Sequence, residues 1–149
     1  MEAKLFGSQT SLKGQFLQAS HPQIPAILIV DDNRVVTRAM SVLVRDAGYE
    51  PVACHTGAEA MTYTEAAIPA AAVVDIHLPD INGLILSQKL RERLGPEAPI
   101  IVVSGDTSME TLNSLAHVGA TYFLSKPTSP HVLLKMVGDC IGEAERRAG

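Results

Sequence analysis

From Ala26 onward the chain alternates between short, unbroken apolar runs and longer stretches whose apolar positions recur every three or four residues. Ala26–Val30, Ala70–Val74 and Ile100–Val103 are runs of the first kind, as expected of strands buried on both faces of a parallel sheet. Glu50–Ala53 reads as a short second strand and Thr121–Ser125 as a fifth. Helical patterns lie between them. Val35, Ala39, Val42 and Leu43 mark one face of a helix over Arg34–Ala47, which Gly48 stops. Thr56-Gly57-Ala58-Glu59 offers a capping box into a helix over Ala58–Ala67, and Pro69 ends it. Further helices are predicted over Gly83–Arg93, Ser108–His117 and Pro130–Glu145.

Five βα units in regular alternation imply an α/β fold, a parallel sheet with helices on both faces and right-handed crossovers. Five short strands suit a three-layer (βα)5 sandwich in the flavodoxin-like order 2-1-3-4-5, an order taken from fold-level analogy because periodicity shows only alternation. Residues 25–147 form the expected domain. Residues 1–24 differ: they are rich in Ser, Gln, Gly and Lys, with scattered Leu5, Phe6, Leu12, Phe16 and Leu17, and Pro22 and Pro25 block regular structure. They read as a mobile, disordered tail, with a short amphipathic docking helix as the other reading.

Composition narrows the function classes. The 149 residues are 46% hydrophobic and 19% charged, enough for a full core, and the net charge is -4. That balance gives no support for a nucleic-acid or membrane-surface role, since both favour clustered Lys and Arg. No apolar stretch approaches the ~20 residues of a membrane span, and no apolar signal segment follows Lys4. Cys54 and Cys140 belong to no metal-binding spacing and read as two unpaired thiols of a cytoplasmic protein.

The chemistry gathers where strands end. Asp31-Asp32 follow the first strand, Asp75 the third and Ser104 the fourth, while Lys126 closes the fifth. In open α/β sheets that rim is where ligands bind. Each residue also has a plainer reading. Asp31, Asp32 or Asn33 could cap a helix, Asp75 could start a turn, Ser104 could cap the next helix, and Lys126 could be a solvated lysine. Capping explains one acid and not two, and an isolated charge at Asp75 is costly unless paired or metal-bound. Three acids facing one ammonium leave a charge imbalance that a divalent cation would complete. Mg²⁺, which takes oxygen ligands and keeps several waters, suits such a set. Lys126 and Ser104 suit an oxyanion. Pro127 ends the strand at Lys126; propensity alone, ~5–6% cis, does not assign the isomer of that bond.

Four blocks, Leu28–Asp32, Asp75–Gly83, Pro99–Ser104 and Gly119–Pro127, closely resemble receiver domains of two-component response regulators over about residues 26–146. Spacings of 43, 29 and 22 residues separate Asp32, Asp75, Ser104 and Lys126. The resemblance implies that Asp75 accepts a phosphoryl group from a sensor histidine kinase or a histidine phosphotransfer protein. It implies Mg²⁺ (or Mn²⁺) ligation by Asp32, Asp75 and the His77 backbone carbonyl, with Asp31 acting through water. Ser104 and Lys126 would contact the phosphoryl oxygens, and the Lys126–Pro127 bond would be cis. Ser104 and Phe123 would form the switch; Phe123 stands where Tyr or His is frequent, so a buried switch there would rest on packing alone. Output would be docking of a protein target or a homodimer through the fourth helix, fifth strand and fifth helix.

Only Arg146–Gly149 follow the last helix, so the expectation is a receiver standing alone, without an output domain and not an enzyme beyond its own phosphorylation and dephosphorylation. A phosphate sink or relay intermediate is the second reading. The third, a metal-dependent aspartyl phosphatase resembling the haloacid dehalogenase family, needs a DxD motif, and Asp75-Ile76-His77 lacks the second acid.

Overall fold

The computed structural model describes residues 24–115 and 117–148; the expected tail or docking helix, over residues 1–23, lies outside the described residues. Strands β1 (Ala26–Val30), β2 (Glu50–Cys54), β3 (Ala71–Asp75), β4 (Ile100–Ser104) and β5 (Tyr122–Ser125) form one parallel sheet in the order β2-β1-β3-β4-β5. Helices α1 (Arg34–Asp46), α2 (Gly57–Ala66), α3 (Gly83–Leu94), α4 (Met109–Leu115) and α5 (Pro130–Ala148) connect or follow them. This is the flavodoxin-like order expected by fold-level analogy.

Strand alternation sorts the core into two layers. Ile27, Ile29, Val73, Ile101 and Val103 meet Met40 and Val44 of α1 and Leu133, Val137 and Ile141 of α5. The intervening Leu28, Val30, Ala72, Val74 and Ile100 meet Ala60 of α2 and Leu86 and Leu90 of α3. Successive side chains of a strand point to opposite faces, so an unbroken apolar run feeds both layers at once. Burying each large aliphatic side chain contributes about 1.5–3 kcal/mol. All five residues of β3 and of β4 are buried, whereas β2 and β5, at the sheet edges, are largely not.

The elements depart from the expected boundaries in informative ways. Asp75 and Ser104 belong to their strands rather than following them, because Asp75 pairs with Val103 and Ser104 with Ser125. Helix α4 is shorter than Ser108–His117. Ser108 lies outside as its cap, its Oγ accepting from the Thr111 N–H at 3.3 Å and its carbonyl from the Leu112 N–H at 3.0 Å. The capping box is half formed: Thr56 Oγ1 accepts from the Glu59 N–H at 3.1 Å, but Glu59 reaches past Thr56 to the His55 N–H at 2.7 Å. Gly48, with φ 93°, takes the left-handed conformation just beyond α1 that a glycine adopts at little cost.

Candidate functional site

Register brings the acids level. β1 and β3 pair through Val30 and Val74, so the next residues, Asp31 and Asp75, stand side by side at the carboxyl rim. Both continue the face of the sheet that carries Ile29 and Val73, beneath α1 and α5. Asp31 and Asp75 are each 6% exposed, while Asp32 is open to solvent. The three can each offer a carboxylate oxygen within 4.8 Å of the others'. That all-oxygen set, partly wet on the Asp32 side, fits a hard cation such as Mg²⁺.

Helix capping does not occupy these acids. Asn33 is the cap of α1, its side chain accepting from the N–H groups of Val35 (3.0 Å) and Val36 (3.3 Å). Asp31 Oδ1 accepts only the Asn33 N–H, at 2.9 Å, which turns the chain out of β1 and aims the carboxylate inward.

Lys126 reaches the rim from the far side. Its N–H donates to the Ser104 carbonyl at 2.8 Å, extending the β4–β5 ladder by one bond. From there Nζ lies 3.2 Å from Asp31 Oδ2 and 3.2 Å from Asp75 Oδ2. Burial alone would pull the ammonium down, but the Asp31 and Asp75 carboxylates outweigh it and hold its pKa above the ordinary value. For Asp75 the balance runs the other way: burial raises its pKa, and Lys126 offsets only part of that. One ammonium therefore serves two buried carboxylates, and Asp32 adds a third acid. The Lys126–Pro127 peptide is cis.

Ser104 is fully buried, and its Oγ accepts from the Asp106 N–H at 3.0 Å. The hydroxyl's own proton is left to donate elsewhere. His77 donates its N–H to Asp75 Oδ1 at 3.4 Å, a long contact, and bridges to Asn82 across the loop. Phe123 is half-buried, because β5 is an edge strand and leaves its outer side open. Arg91 of α3 steadies the approach to β5, donating to the Gly119 carbonyl at 2.9 and 2.7 Å and to Thr121 Oγ1 at 3.2 Å.

Two supporting residues escaped the sequence reading. Asp80, in the loop after β3, accepts the N–H groups of Gly57 and Ala58 at 2.9 Å each, which hold its carboxyl below the usual range. It therefore caps α2 from a distance and ties that helix to the loop after β3. Gly83 opens α3 against the backbone of Asp75 and Ile76, its N–H donating to the Ile76 carbonyl at 2.7 Å. A Cβ at Gly83 would overlap the Asp75 carbonyl oxygen and Ile76 Cα. The available signals were the Asn-Gly pair at a helix start and an acid unclaimed by its own helix.

The family model for the response regulator receiver domain matches residues 27–138. The chain belongs to the response regulator receiver domain family. This receiver is 38% identical over 103 residues to the photosynthetic apparatus regulatory protein RegA of Rhodovulum sulfidophilum, covering 69% of this chain and 56% of that one. It is 33% identical over 113 residues to the CAI-1 autoinducer sensor kinase/phosphatase CqsS of Vibrio cholerae serotype O1, covering 74% of this chain and 16% of that protein. The chain thus spans about half the length of the first and a small part of the second. Among solved structures it is similar to a CheY-like receiver domain protein from Methanospirillum hungatei JF-1. The TM-score is 0.79 at 30% identity, over 84% of this chain and 99% of that one.

Proposed function

We propose that Asp75 is the phosphoacceptor of a two-component phosphorelay, taking its phosphoryl group from a histidine kinase or a histidine phosphotransfer protein. The observation that carries this reading is the shared ammonium: Lys126 lies 3.2 Å from both Asp31 and Asp75 beside a cluster of three acids. A carboxylate oxygen of Asp75 attacks the phosphorus of the donor phosphohistidine. The P–N bond breaks as the new P–O bond forms, and the imidazole nitrogen keeps the electron pair and takes a proton from solvent. An acyl phosphate on Asp75 results.

Lys126 exchanges its contact with Asp75 for one with the phosphoryl oxygens, and the Ser104 hydroxyl donates its free proton to another. Mg²⁺ (or Mn²⁺), held by Asp31, Asp32, Asp75 and the His77 carbonyl, would neutralise the charge that gathers at the phosphoryl oxygens. The residues here only transfer the group onto and off the chain. Incubation with acetyl phosphate and Mg²⁺, followed by intact mass before and after hydroxylamine, tests the assignment.

The output is docking. Met109 and Leu112 of α4, Tyr122 of β5 and Val132 of α5 are large apolar side chains left exposed on one flank. They offer a surface for a protein target or a second copy, with Ser104 and half-buried Phe123 linking it to the site. Pull-down with and without beryllofluoride checks this; an unchanged partner set favours a phosphate sink. Among the described residues no helix is long and apolar enough to cross a membrane.

Two further outcomes are expected. Without divalent cation, Asp75→Asn melts higher than wild type at neutral pH. The raised Asp75 pKa means its contribution to stability is intact below 3.8 and is lost as pH rises through the raised value, so the two chains converge in acid. Adding Mg²⁺ raises the wild-type midpoint. Melting curves across pH that never diverge would count against this electrostatic picture. Lys126→Ala should weaken the docking response to phosphorylation more than phosphoryl uptake, because the ammonium holds the product group. Equal loss in both assays would show the role to be misassigned.

A further inference from the structure

Directly beneath the acids, on the α1–α5 face of the sheet, lies a cavity of about 500 Å³. Its floor is Ile29, Val73 and Val103, and its walls are Val36 and Met40 of α1 and Leu133 of α5. Five of these six are at most 5% exposed, while Val36, at 36%, marks the side on which the space meets solvent. Native interiors leave few voids larger than a water molecule. Over the apolar floor water is a poor tenant, because a buried water needs two to four polar partners and the side chains of Ile29, Val73 and Val103 have none. Val36, Thr128 and Pro130, which also line the space, have short side chains. A volume of this order matches small-molecule pockets, which are mostly apolar with a few convergent polar groups.

The polar groups sit at one end. Asp31, Asp75 and Lys126 line the cavity there, and two carboxylates share the single ammonium. The unmatched negative charge selects a donor or a cation and disfavours an anionic head. We propose that this cavity binds a compact apolar amine, its hydrocarbon body between α1 and α5 and its ammonium against Asp31 and Asp75. Binding as such does not depend on the phosphoacceptor reading; its consequence does. The amine and Mg²⁺ draw on the same carboxylates, so each weakens the other by the same factor, and occupancy lowers phosphoryl uptake.

Phenethylamine is a suitable probe, titrated into the full chain in Mg²⁺-free buffer and followed by methyl NMR and calorimetry. Saturable shifts are expected at Met40, Val36 and Leu133, with 2-phenylethanol, the uncharged isostere, binding about tenfold more weakly. Thr128→Phe, which fills the cavity from a half-buried loop position, should abolish the shifts, and Val36→Phe is the second filling variant. Added Mg²⁺ should weaken the amine and leave the alcohol unchanged. No saturable shift, or shifts that survive in both filling variants, would overturn the site. Equal affinity for the alcohol would overturn the amine assignment. A chain that fails to take up phosphate but binds the probe in this pattern refutes the phosphoacceptor reading and leaves the cavity site standing.

Discussion

Given acetyl phosphate and Mg²⁺, the wild-type chain gains the mass of one phosphoryl group and Asp75→Asn gains none. The expectation rests on which carboxylate is free to attack. Asp31 Oδ1 is held at 2.9 Å by the Asn33 N–H, and its other oxygen faces Lys126. Asp75 also faces Lys126 through Oδ2, but its Oδ1 receives only the long 3.4 Å contact from His77. Burial raises the Asp75 pKa, which makes its ionised oxygens more basic than those of an ordinary aspartate. Uptake should therefore fall as pH drops through that raised value, since only the ionised carboxylate is nucleophilic. Asp32→Asn serves as the control: it thins the cation site and slows the gain while leaving the acceptor in place. Equal mass gain in wild type and Asp75→Asn would remove the basis of the proposed function.

Much of the fold and of the rim is legible in the amino-acid sequence. The apolar runs around Leu28, Val73 and Val102 are continuous because those strands are buried on both faces, and burial of that kind leaves an unambiguous trace in sequence. The rim residues were legible for the same reason, as polar side chains terminating such runs. What could not be read was local competition for backbone groups. Asp31, Asp32 and Asn33 are all plausible caps, and only the geometry assigns the role to Asn33. Glu59 had the spacing of a capping-box partner, yet it serves His55, while Asp80, more than twenty residues on in the chain, takes the first helical N–H groups. Tertiary partners of that kind carry no periodic signal. The half-exposure of Phe123 follows from β5 being an edge strand, and strand order is a property of the whole fold.

The largest stability effect is expected at a residue with no functional group. Gly83→Ala should lower stability by about 3–5 kcal/mol, the range of severe steric or core lesions, and drop the thermal midpoint by on the order of 10 °C. The added methyl would meet the Asp75 carbonyl oxygen, the Asp75 carbonyl carbon and Ile76 Cα. All three are backbone atoms, so no flexible side chain can swing aside. Either α3 moves away from β3, breaking the Gly83 N–H bond to Ile76 and loosening Leu86 and Leu90 in the core, or β3 itself shifts. The second route moves Asp75, so any folded fraction should also respond less to Mg²⁺. Gly142→Ala, within α5 and near only the Arg146 guanidinium at 3.5 Å, is the matched control. It should be neutral or stabilising by up to about 1 kcal/mol, as alanine for glycine usually is inside a helix. Urea denaturation of both variants reads the difference. A Gly83→Ala midpoint indistinguishable from wild type would mean that α3 is not packed on the Asp75 backbone, and the positioning of the acid by that helix would have to be abandoned.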